Sequence, residues 1–324
     1  MAISDKDFNR FKDVSDKIFH NMASIIYGQE TEIKMIIAAM FAGGHILLED
    51  MPGTGKTTLA LILSRSIKPK AGIHNFRRIQ FTPDLLPMDI TGSNIYNQKT
   101  HEFIFRPGPV FTNILLADEL NRASPKVQSA LLECMAERRV TVENVTYELE
   151  KLFFVIATQN PIETEGTYNL PIAQLDRFFA RISLSHISKE TNIKILQDYK
   201  KITTYEGISP VATVDDIIRM QGLVDEVHIE NSLLELIASI IAETRARQDI
   251  ILVPASPRAS IYLLKLAKSW ALLNGRTYVE EQDIKDMAYP CLNHRLKFHY
   301  TDSEERELRS VIDACFESHI GNVV

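Results

Sequence analysis

The spacing of apolar residues divides the chain into an α/β first part and a helical second part. Over residues 5–40 apolar positions recur three and four residues apart, with a break at Tyr27, Gly28 and Gln29, which predicts two helices and a turn. Short apolar runs, most of them separated by helical patterns, then follow at residues 45–49, 78–81, 113–118, 152–158 and 179–184. This alternation predicts parallel strands in a sheet with helices on both faces.

The second part begins near Ser188. Its apolar spacing predicts helices at residues 190–201, 214–227, 230–247, 257–273 and 280–291. We therefore expect two domains, an α/β domain over residues 1–188 and an all-helical domain over residues 189–324. Inside the first domain, residues 93–105 and 139–148 alternate around polar turns and predict two inserted β-hairpins.

Composition narrows the possible functions. The 324 residues carry a net charge of -6 and no Lys/Arg-rich run, which disfavours nucleic acid as a partner. No apolar run approaches the roughly 20 residues that span a bilayer, and the mixed charges at the start are unlike a secretory signal. We expect a cytoplasmic protein without a membrane span. Its three widely spaced cysteines predict neither disulfides nor a zinc site.

A glycine-rich loop lies between the first predicted strand and a helical pattern. Such a loop turns backbone N–H groups toward phosphate oxygens, with Lys56 reaching the β- and γ-phosphates and Thr57 binding Mg²⁺. Asp50 occupies the first glycine position of the G-x-x-x-x-G-K-[ST] pattern, and the sequence does not fix its effect on affinity. The predicted phosphate-binding residues are Pro52, Gly53, Thr54, Gly55, Lys56, Thr57 and Thr58.

Two later strands end in polar residues. The run at 113–118 ends in Asp118 and is followed by Glu119, at the edge of the sheet where ligands collect. Asp118 suits Mg²⁺ coordination together with Thr57, and Glu119 suits orienting an attacking water. Asn160 follows the next strand, where its amide could hold that water, although a turn Asn before a proline is equally common.

Four stretches together carry a family resemblance: EDMPGTGKTTLA, ADELNRASPKVQSALLECMAE, FVIATQNPIETEGTYNLPIAQLDRF and SPRAS. Over nearly its whole length the chain resembles the AAA+ superfamily, and within it the MoxR group. The resemblance implies an α/β P-loop NTPase fold with a parallel five-stranded sheet, followed by an all-α lid domain. It also implies that Lys56 and Thr57 form Walker A, Asp118 and Glu119 form Walker B, and Asn160 is sensor 1.

The same resemblance assigns three further sites. Arg177 looks like the arginine finger that reaches the nucleotide of the next subunit, although an ion pair with Asp176 is a local alternative. Arg258 looks like sensor 2 on the lid, and Gly28 and Gln29 form the adenine-contacting turn. The two hairpins match the inserts of this clade.

These assignments imply an ATP hydrolase that uses Mg²⁺ and works as a ring, six subunits being the family expectation. MoxR relatives imply chaperone-like remodelling or maturation of a client or of a partner with a von Willebrand A domain. A metal-chelatase-like motor subunit and an ATP-binding switch or scaffold with little turnover are the alternatives. A nucleic-acid motor is opposed by the acidic charge. The client is not encoded in any motif.

Overall fold

The computed structural model describes residues 3–49, 54–160, 166–184, 187–300 and 304–323. Its centre is a sheet of five parallel strands, which confirms the predicted fold class. With elements numbered in chain order, the strands from edge to edge are β10 (Ala180–Ile182), β1 (Ile46–Glu49), β9 (Phe154–Gln159), β6 (Ile114–Asp118) and β3 (Phe76–Gln80).

Both faces of this sheet are apolar. Leu47, Leu115 and Val155 point to one face, while Leu48 and Leu116 point to the other, and all five are buried. Successive side chains of a strand alternate between faces, so continuous apolar runs are what a sheet covered on both sides requires.

Helices from the first part of the chain cover the two faces. On one face lie α1 (Asp5–Ala23), α2 (Glu30–Phe41) and α3 (Lys56–Arg65). On the other lie α4 (Pro87–Thr91), α5 (Pro125–Glu137) and the short α6 (Ile172–Leu175). A two-residue strand, β2 (Ile67–Lys68), pairs in parallel with β11 (Ala212–Thr213) from the second part.

Two antiparallel hairpins extend from the first part. One is formed by β4 (Gly92–Asn97) and β5 (Glu102–Pro107), the other by β7 (Arg139–Val142) and β8 (Val145–Glu148). Phe105 stacks on Tyr147 with ring centroids 3.9 Å apart. The two hairpins therefore contact one another.

The second part is a helical lid with one short two-stranded sheet, β12 (Ile251–Val253) and β13 (Lys297–Phe298). Its helices are α7 (Lys189–Gln197), α8 (Tyr199–Thr204), α9 (Val214–Glu226), α10 (Asn231–Ala246), α11 (Pro257–Leu273), α12 (Glu281–Leu292) and α13 (Glu304–Val323). The last of these is absent from the sequence prediction. In the described residues, none of the helices combines the length and apolar character needed to cross a bilayer.

The N-terminal helices connect the sheet to the lid. Ser269 on α11 donates a hydrogen bond to the carbonyl of Ala38 at 2.8 Å, and Gln221 on α9 donates to the carbonyl of Met40 at 2.8 Å. Buried residues of α1, α2 and the lid helices form one continuous apolar cluster with one face of the sheet. The domain boundary near Ser188 remains a prediction, and the core is shared across it.

Candidate active site

A cleft opens at the carboxyl ends of the central strands, where ligands bind in parallel α/β sheets. The register pairs Glu49 with Gln159 and Gln80 with Asp118, so the ends of neighbouring strands lie side by side. The cleft contains a cavity of about 400 Å³. Its lining residues are Gly55, Lys56, Thr57, Arg78, Gln80, Asp118, Glu119, Thr158, Gln159 and Asn160.

Gly55 and α3 form the first wall of the cavity. Gly55 has a left-handed backbone with φ 90°, and no heavy atom lies within 4 Å of the position that a Cβ would take. The backbone angle, rather than crowding, is therefore what requires glycine here. Since α3 begins at Lys56, its first N–H groups and its dipole favour an anion beside Lys56 and Thr57.

The other predicted loop residues have different outcomes. Pro52 and Gly53, like Asp50, lie outside the described residues. Thr54 and Thr58 flank the lining residues of the cavity without belonging to them.

Asp118 ends β6 and is held from two sides. Thr158 on β9 donates its hydroxyl to Asp118 Oδ1 at 2.6 Å. Arg78 on β3 donates to Asp118 Oδ2 from Nη2 at 2.7 Å and from Nε at 3.1 Å. Asp118 is 9% exposed, and the Arg78 guanidinium balances its negative charge through this ion pair.

Glu119 is held equally firmly. Its backbone is left-handed with φ 56°, and its N–H donates to Thr158 Oγ1 at 2.8 Å. Its carboxylate accepts a hydrogen bond from Gln80 Nε2 at 2.6 Å and pairs with Arg122 Nε at 3.1 Å. Both carboxylates of the predicted Walker B pair therefore line the cavity, and each is bound by an arginine.

Arg78, Gln80 and Arg122 contact the acidic pair of the site, and the sequence analysis missed all three. Arg78 and Gln80 are two residues apart on β3, so both point to the side of the sheet where Asp118 and Glu119 lie. The sequence did offer one signal for the first two, namely two polar residues at alternate positions of a predicted strand. Their partners depend on the neighbour of β3, which the strand pattern does not specify.

Asn160 directly follows β9, is 9% exposed and lines the cavity. Its backbone carbonyl accepts a hydrogen bond from Asn121 at 3.4 Å. The preceding Gln159 donates to Glu49 Oε1 at 2.8 Å, which links the ends of β9 and β1. Asn160 thus lines the same cavity as Lys56 and Glu119.

Gly28 and Gln29 form the turn between α1 and α2, and neither belongs to the residues that line the cavity. Gly28 has φ 71°, and a Cβ there would come within 3.2 Å of Thr191 on α7. Tyr27 donates its hydroxyl to Asp198 at 2.8 Å. The predicted adenine-contacting turn is therefore covered by α7 and the residue that follows it.

Arg177 and Arg258 lie at the other end of the sheet. Residues 176–179 lead into the amino end of β10, where the Phe179 N–H donates to the carbonyl of His45 just before β1. Arg177 donates to the carbonyl of Leu132 on α5 at 2.9 Å, and Arg258 pairs with Asp176 at 3.3 Å. Neither side chain lines the cavity.

For a divalent cation, the cavity offers the Thr57 hydroxyl and the Asp118 carboxylate. Within the described ranges no three His, Cys, Asp or Glu side chains are grouped to hold a metal ion. Mg²⁺ does not require such a group, because it keeps several waters and binds through one or two carboxylates and substrate phosphates. The donor set fits Mg²⁺ that arrives with a nucleotide.

Comparisons with known proteins agree with this geometry. Residues 45–180 match the ATPase family associated with various cellular activities (AAA), and residues 242–313 match the AAA lid domain. The uncharacterized protein YeaC of Bacillus subtilis is 45% identical over 87% of this chain and 87% of its own length. Chaperone MoxR1 of Mycobacterium tuberculosis is 37% identical over 88% of this chain and 76% of its own. The chain belongs to the MoxR family of AAA+ ATPases.

A solved structure supports the same conclusion for this MoxR-family chain. A protein from Cytophaga hutchinsonii assigned as an ATPase is 37% identical, superposes with a TM-score of 0.86, and is matched over 96% of both chains. The MoxR-family chain is thus a nucleotide-binding protein and an ATP hydrolase, with an AAA domain followed by an AAA lid.

Proposed function

We propose that this MoxR-family ATPase hydrolyses MgATP in an assembly of identical subunits and uses the cycle to remodel or mature a protein partner. One observation carries the catalytic part. The start of α3 with Lys56, the Asp118–Glu119 pair and Asn160 converge on one cavity although they are far apart in sequence.

The residues of the cavity have distinct roles in this proposal. The N–H groups at the start of α3 and Lys56 bind the phosphates, while Thr57 and Asp118 hold Mg²⁺, which when bound neutralises charge on the phosphate oxygens. Glu119 accepts a proton from the attacking water, and the Asn160 amide orients that water. Glu119 and Asp118 must first exchange their contacts with Arg122 and Arg78.

The positions of the two arginines support shared sites. β1 rises about 3.3 Å per residue, so the two ends of the sheet are about 10 Å apart along this strand. Arg177 and Arg258 lie at the end opposite the cavity of their own chain. A head-to-tail ring would place them at the cavity of the next subunit, where a guanidinium stabilises the transferring phosphoryl group.

The hairpin formed by β4 and β5 is the candidate contact surface for a partner. Tyr96 and Phe103 lie opposite one another on its two strands and are 47% and 71% exposed. Large exposed aromatic side chains of this kind are enriched where proteins bind other proteins. A client polypeptide or a von Willebrand A domain partner is the proposed occupant, and the chaperone named above supports this class of function.

Steady-state ATP turnover tests the proposal. Turnover per subunit is measured with Mg²⁺ over a wide range of protein concentration, for the natural protein and for Arg177→Ala. We expect the rate per subunit to rise with concentration and to fall about a thousandfold in the variant, the contribution of an arginine finger. Arg309→Ala, at an exposed lid arginine, is the matched control and retains full turnover.

A switch with little turnover is the second candidate, because arginines sit on both Asp118 and Glu119 in this structure. It predicts ATP binding with a low rate that does not depend on protein concentration. A further variant, Phe103→Ala, tests the partner proposal independently of whether the protein is an ATPase with shared sites or a switch. Stimulation of turnover by an unfolded model polypeptide is lost in Phe103→Ala but kept in the control Tyr300→Ala, which removes an equally exposed aromatic elsewhere.

A further inference from the structure

A short lid segment, residues 293–295, docks along the strand-leading segment 176–181 that contains Arg177. It follows α12 directly. Asn293 Oδ1 accepts from Arg181 Nε at 3.3 Å, and Asn293 Nδ2 donates to the carbonyl of Arg181 at 3.2 Å. His294 bonds through Nε2 to the carbonyl of Phe178 at 3.0 Å. The lid therefore holds this segment through its backbone.

Arg295 makes the most extensive contacts of the three. Its side chain is 1% exposed, and Nε donates to Asp176 Oδ1 at 3.0 Å. The two terminal nitrogens donate to four backbone carbonyls, those of Asp176, Phe178, Phe179 and Cys291. A buried cation is tolerated only when it is paired and hydrogen-bonded in this way.

Asp176 gathers a second set of lid contacts. Ser256, at the start of α11, donates its hydroxyl to both Asp176 oxygens at 3.0 Å, and Arg258 pairs with Oδ2. The start of α11 and the segment that follows α12 therefore meet at the residue immediately before Arg177. One carboxylate is shared by two guanidinium groups, so the local charge stays positive.

Arg177 itself is held much less firmly than its neighbours. Its Nη1 donates to the Leu132 carbonyl, while its buried Nε has no hydrogen-bond partner within the described part of the chain. The carbonyls on either side of Arg177 accept hydrogen bonds from Arg295, whereas its own side chain makes a single hydrogen bond among the described residues. The backbone of Arg177 is thus held from two sides, by its N–H bond to the carbonyl of Gln174 at 3.2 Å and by the contacts of Arg295 with its neighbours.

We infer that Arg295 is a positioning residue for Arg177, so that the lid of one subunit sets the reach of this guanidinium into the ATP site of the next. The inference rests on the proposed shared site. A lid movement that shifts α12 would carry residues 176–179 with it through Arg295. A displacement of about 1 Å at a catalytic group lowers rates by about a hundredfold.

The alternative is that Arg295 only anchors the lid and supports its own subunit. The two possibilities differ in mixed assemblies. A Glu119→Gln subunit has no base of its own but offers an intact Arg177 to its neighbour. It can restore a neighbour that lacks a correctly placed finger, but it cannot repair a neighbour whose own cavity is damaged.

The experiment therefore measures turnover of full-length variants alone and in equal mixtures with Glu119→Gln. Arg295→Lys keeps the charge but cannot donate to several carbonyls at once, and Asp176→Asn keeps the shape but removes the carboxylate. Each alone is expected to lose about ten- to a hundredfold in kcat, with KM and ATP binding unchanged. Arg309→Lys is the control and retains the natural rate alone.

The Arg177→Ala mixture reports on the proposed function, and the other two report on Arg295. Random head-to-tail mixing places an intact finger beside half of the competent sites, so about a quarter of the natural rate should return. If the Arg177→Ala mixture recovers but the Arg295→Lys and Asp176→Asn mixtures do not, the positioning role of Arg295 is overturned while the shared site stands. If the Arg177→Ala mixture fails to recover, the shared site itself is wrong.

Should Arg295→Lys fold poorly, Asp176→Asn decides the question. Thermal unfolding and light scattering of each variant show whether it remains folded and assembled before mixing. A folded Asp176→Asn with natural kcat would also overturn the inference, because the carboxylate that joins Arg295 to the finger segment would then be dispensable.

Discussion

Glu119 adopts the left-handed backbone region that residues with a Cβ rarely occupy. Such strain is retained where it places a functional group. Here the turn brings the N–H of Glu119 onto Thr158 and its carboxylate onto Gln80 and Arg122, beside Asp118. The backbone angle therefore delivers two consecutive carboxylates to one cavity.

Glu119→Gln removes the proton acceptor while keeping the shape of the side chain. General-base catalysis contributes about 10² to 10⁴-fold, so we expect kcat to fall by that factor while ATP remains bound. Single-turnover hydrolysis and binding of a fluorescent ATP analogue measure the two effects. Glu226→Gln, an exposed lid residue, is the control. Natural turnover in Glu119→Gln would rule out this role.

Two buried histidines make the stability depend on pH. Burial, with the nearby Arg138 charge, lowers the pKa of His45 to about 3, and burial beside Arg295 holds the pKa of His294 well below 6.5. His45 accepts a hydrogen bond from the Val155 N–H at 3.1 Å, which protonation would remove. Both histidines are therefore neutral in the folded protein at neutral pH.

The sign of the pH effect follows from those directions. Below about pH 6.5 these histidines bind protons in the unfolded chain but stay neutral in the folded protein. Each one therefore lowers the free energy of unfolding by about 1.4 kcal/mol per pH unit as the pH falls. We expect the urea concentration at the unfolding midpoint to be lower at pH 5.5 than at pH 7.5. Both pH values lie above the range where carboxylates titrate. Replacing the exposed His228 by Gln should leave the drop in place. A constant midpoint would contradict the prediction.

Sequence reasoning located the polar residues of the cavity but not the contacts between them. Lys56, Asp118 and Asn160 each stand at the end of a strand pattern or the start of a helix, and the geometry of parallel sheets brings such positions together. Gln80 was missed because its role depends on β3 lying beside β6 in a particular register. One sequence carries no direct signal for that register.

At the scale of elements, the base of the β4–β5 hairpin depends on glycine. Gly92 has φ 93°, and a Cβ there would overlap the carbonyl oxygen of Arg106 and the nitrogen of Gly108. The exposed Gly72 has a similar φ of 80°, but no atom lies within 4 Å of its Cβ position. A substitution at Gly72 therefore meets backbone strain alone, whereas one at Gly92 meets both strain and steric overlap.

Gly72→Ala should lower the melting temperature by about 1–2 °C, the effect of about 1 kcal/mol of backbone strain in a chain of this length. Gly92→Ala should lower it further and weaken the pairing of β4 with β5, because the backbone of Arg106 cannot move away without breaking that pairing. Differential scanning calorimetry gives the comparison. Equal shifts would show that overlap at the hairpin base has no effect.

The elements themselves were partly predictable. All five central strands were expected from their apolar runs, and each was found within a few residues of its expected range. The predicted helix at 190–201 is instead α7 and α8, which meet at Asp198. The order of the strands had no basis in the pattern, since alternation along the chain does not say which strands pair.

At the scale of the molecule, the lid and the sheet share one core through α1 and α2. Trp270, the single tryptophan, is buried on α11 and donates to Asp286, so its fluorescence reports on the lid. We expect fluorescence and far-ultraviolet circular dichroism to give the same urea midpoint, as cooperative unfolding requires. Two separate midpoints would show that the lid unfolds independently.

The shared core also sets a condition on synthesis. Helices α1 and α2 are synthesised before the lid, and the apolar partners of α2 on α9 and α11 are complete only when residue 273 has been made. At 5–20 residues per second this delay is on the order of ten to fifty seconds. During that interval Ile33, Ile37 and Phe41 lack their lid partners, so the nascent chain carries exposed apolar surface that favours aggregation until the lid is made.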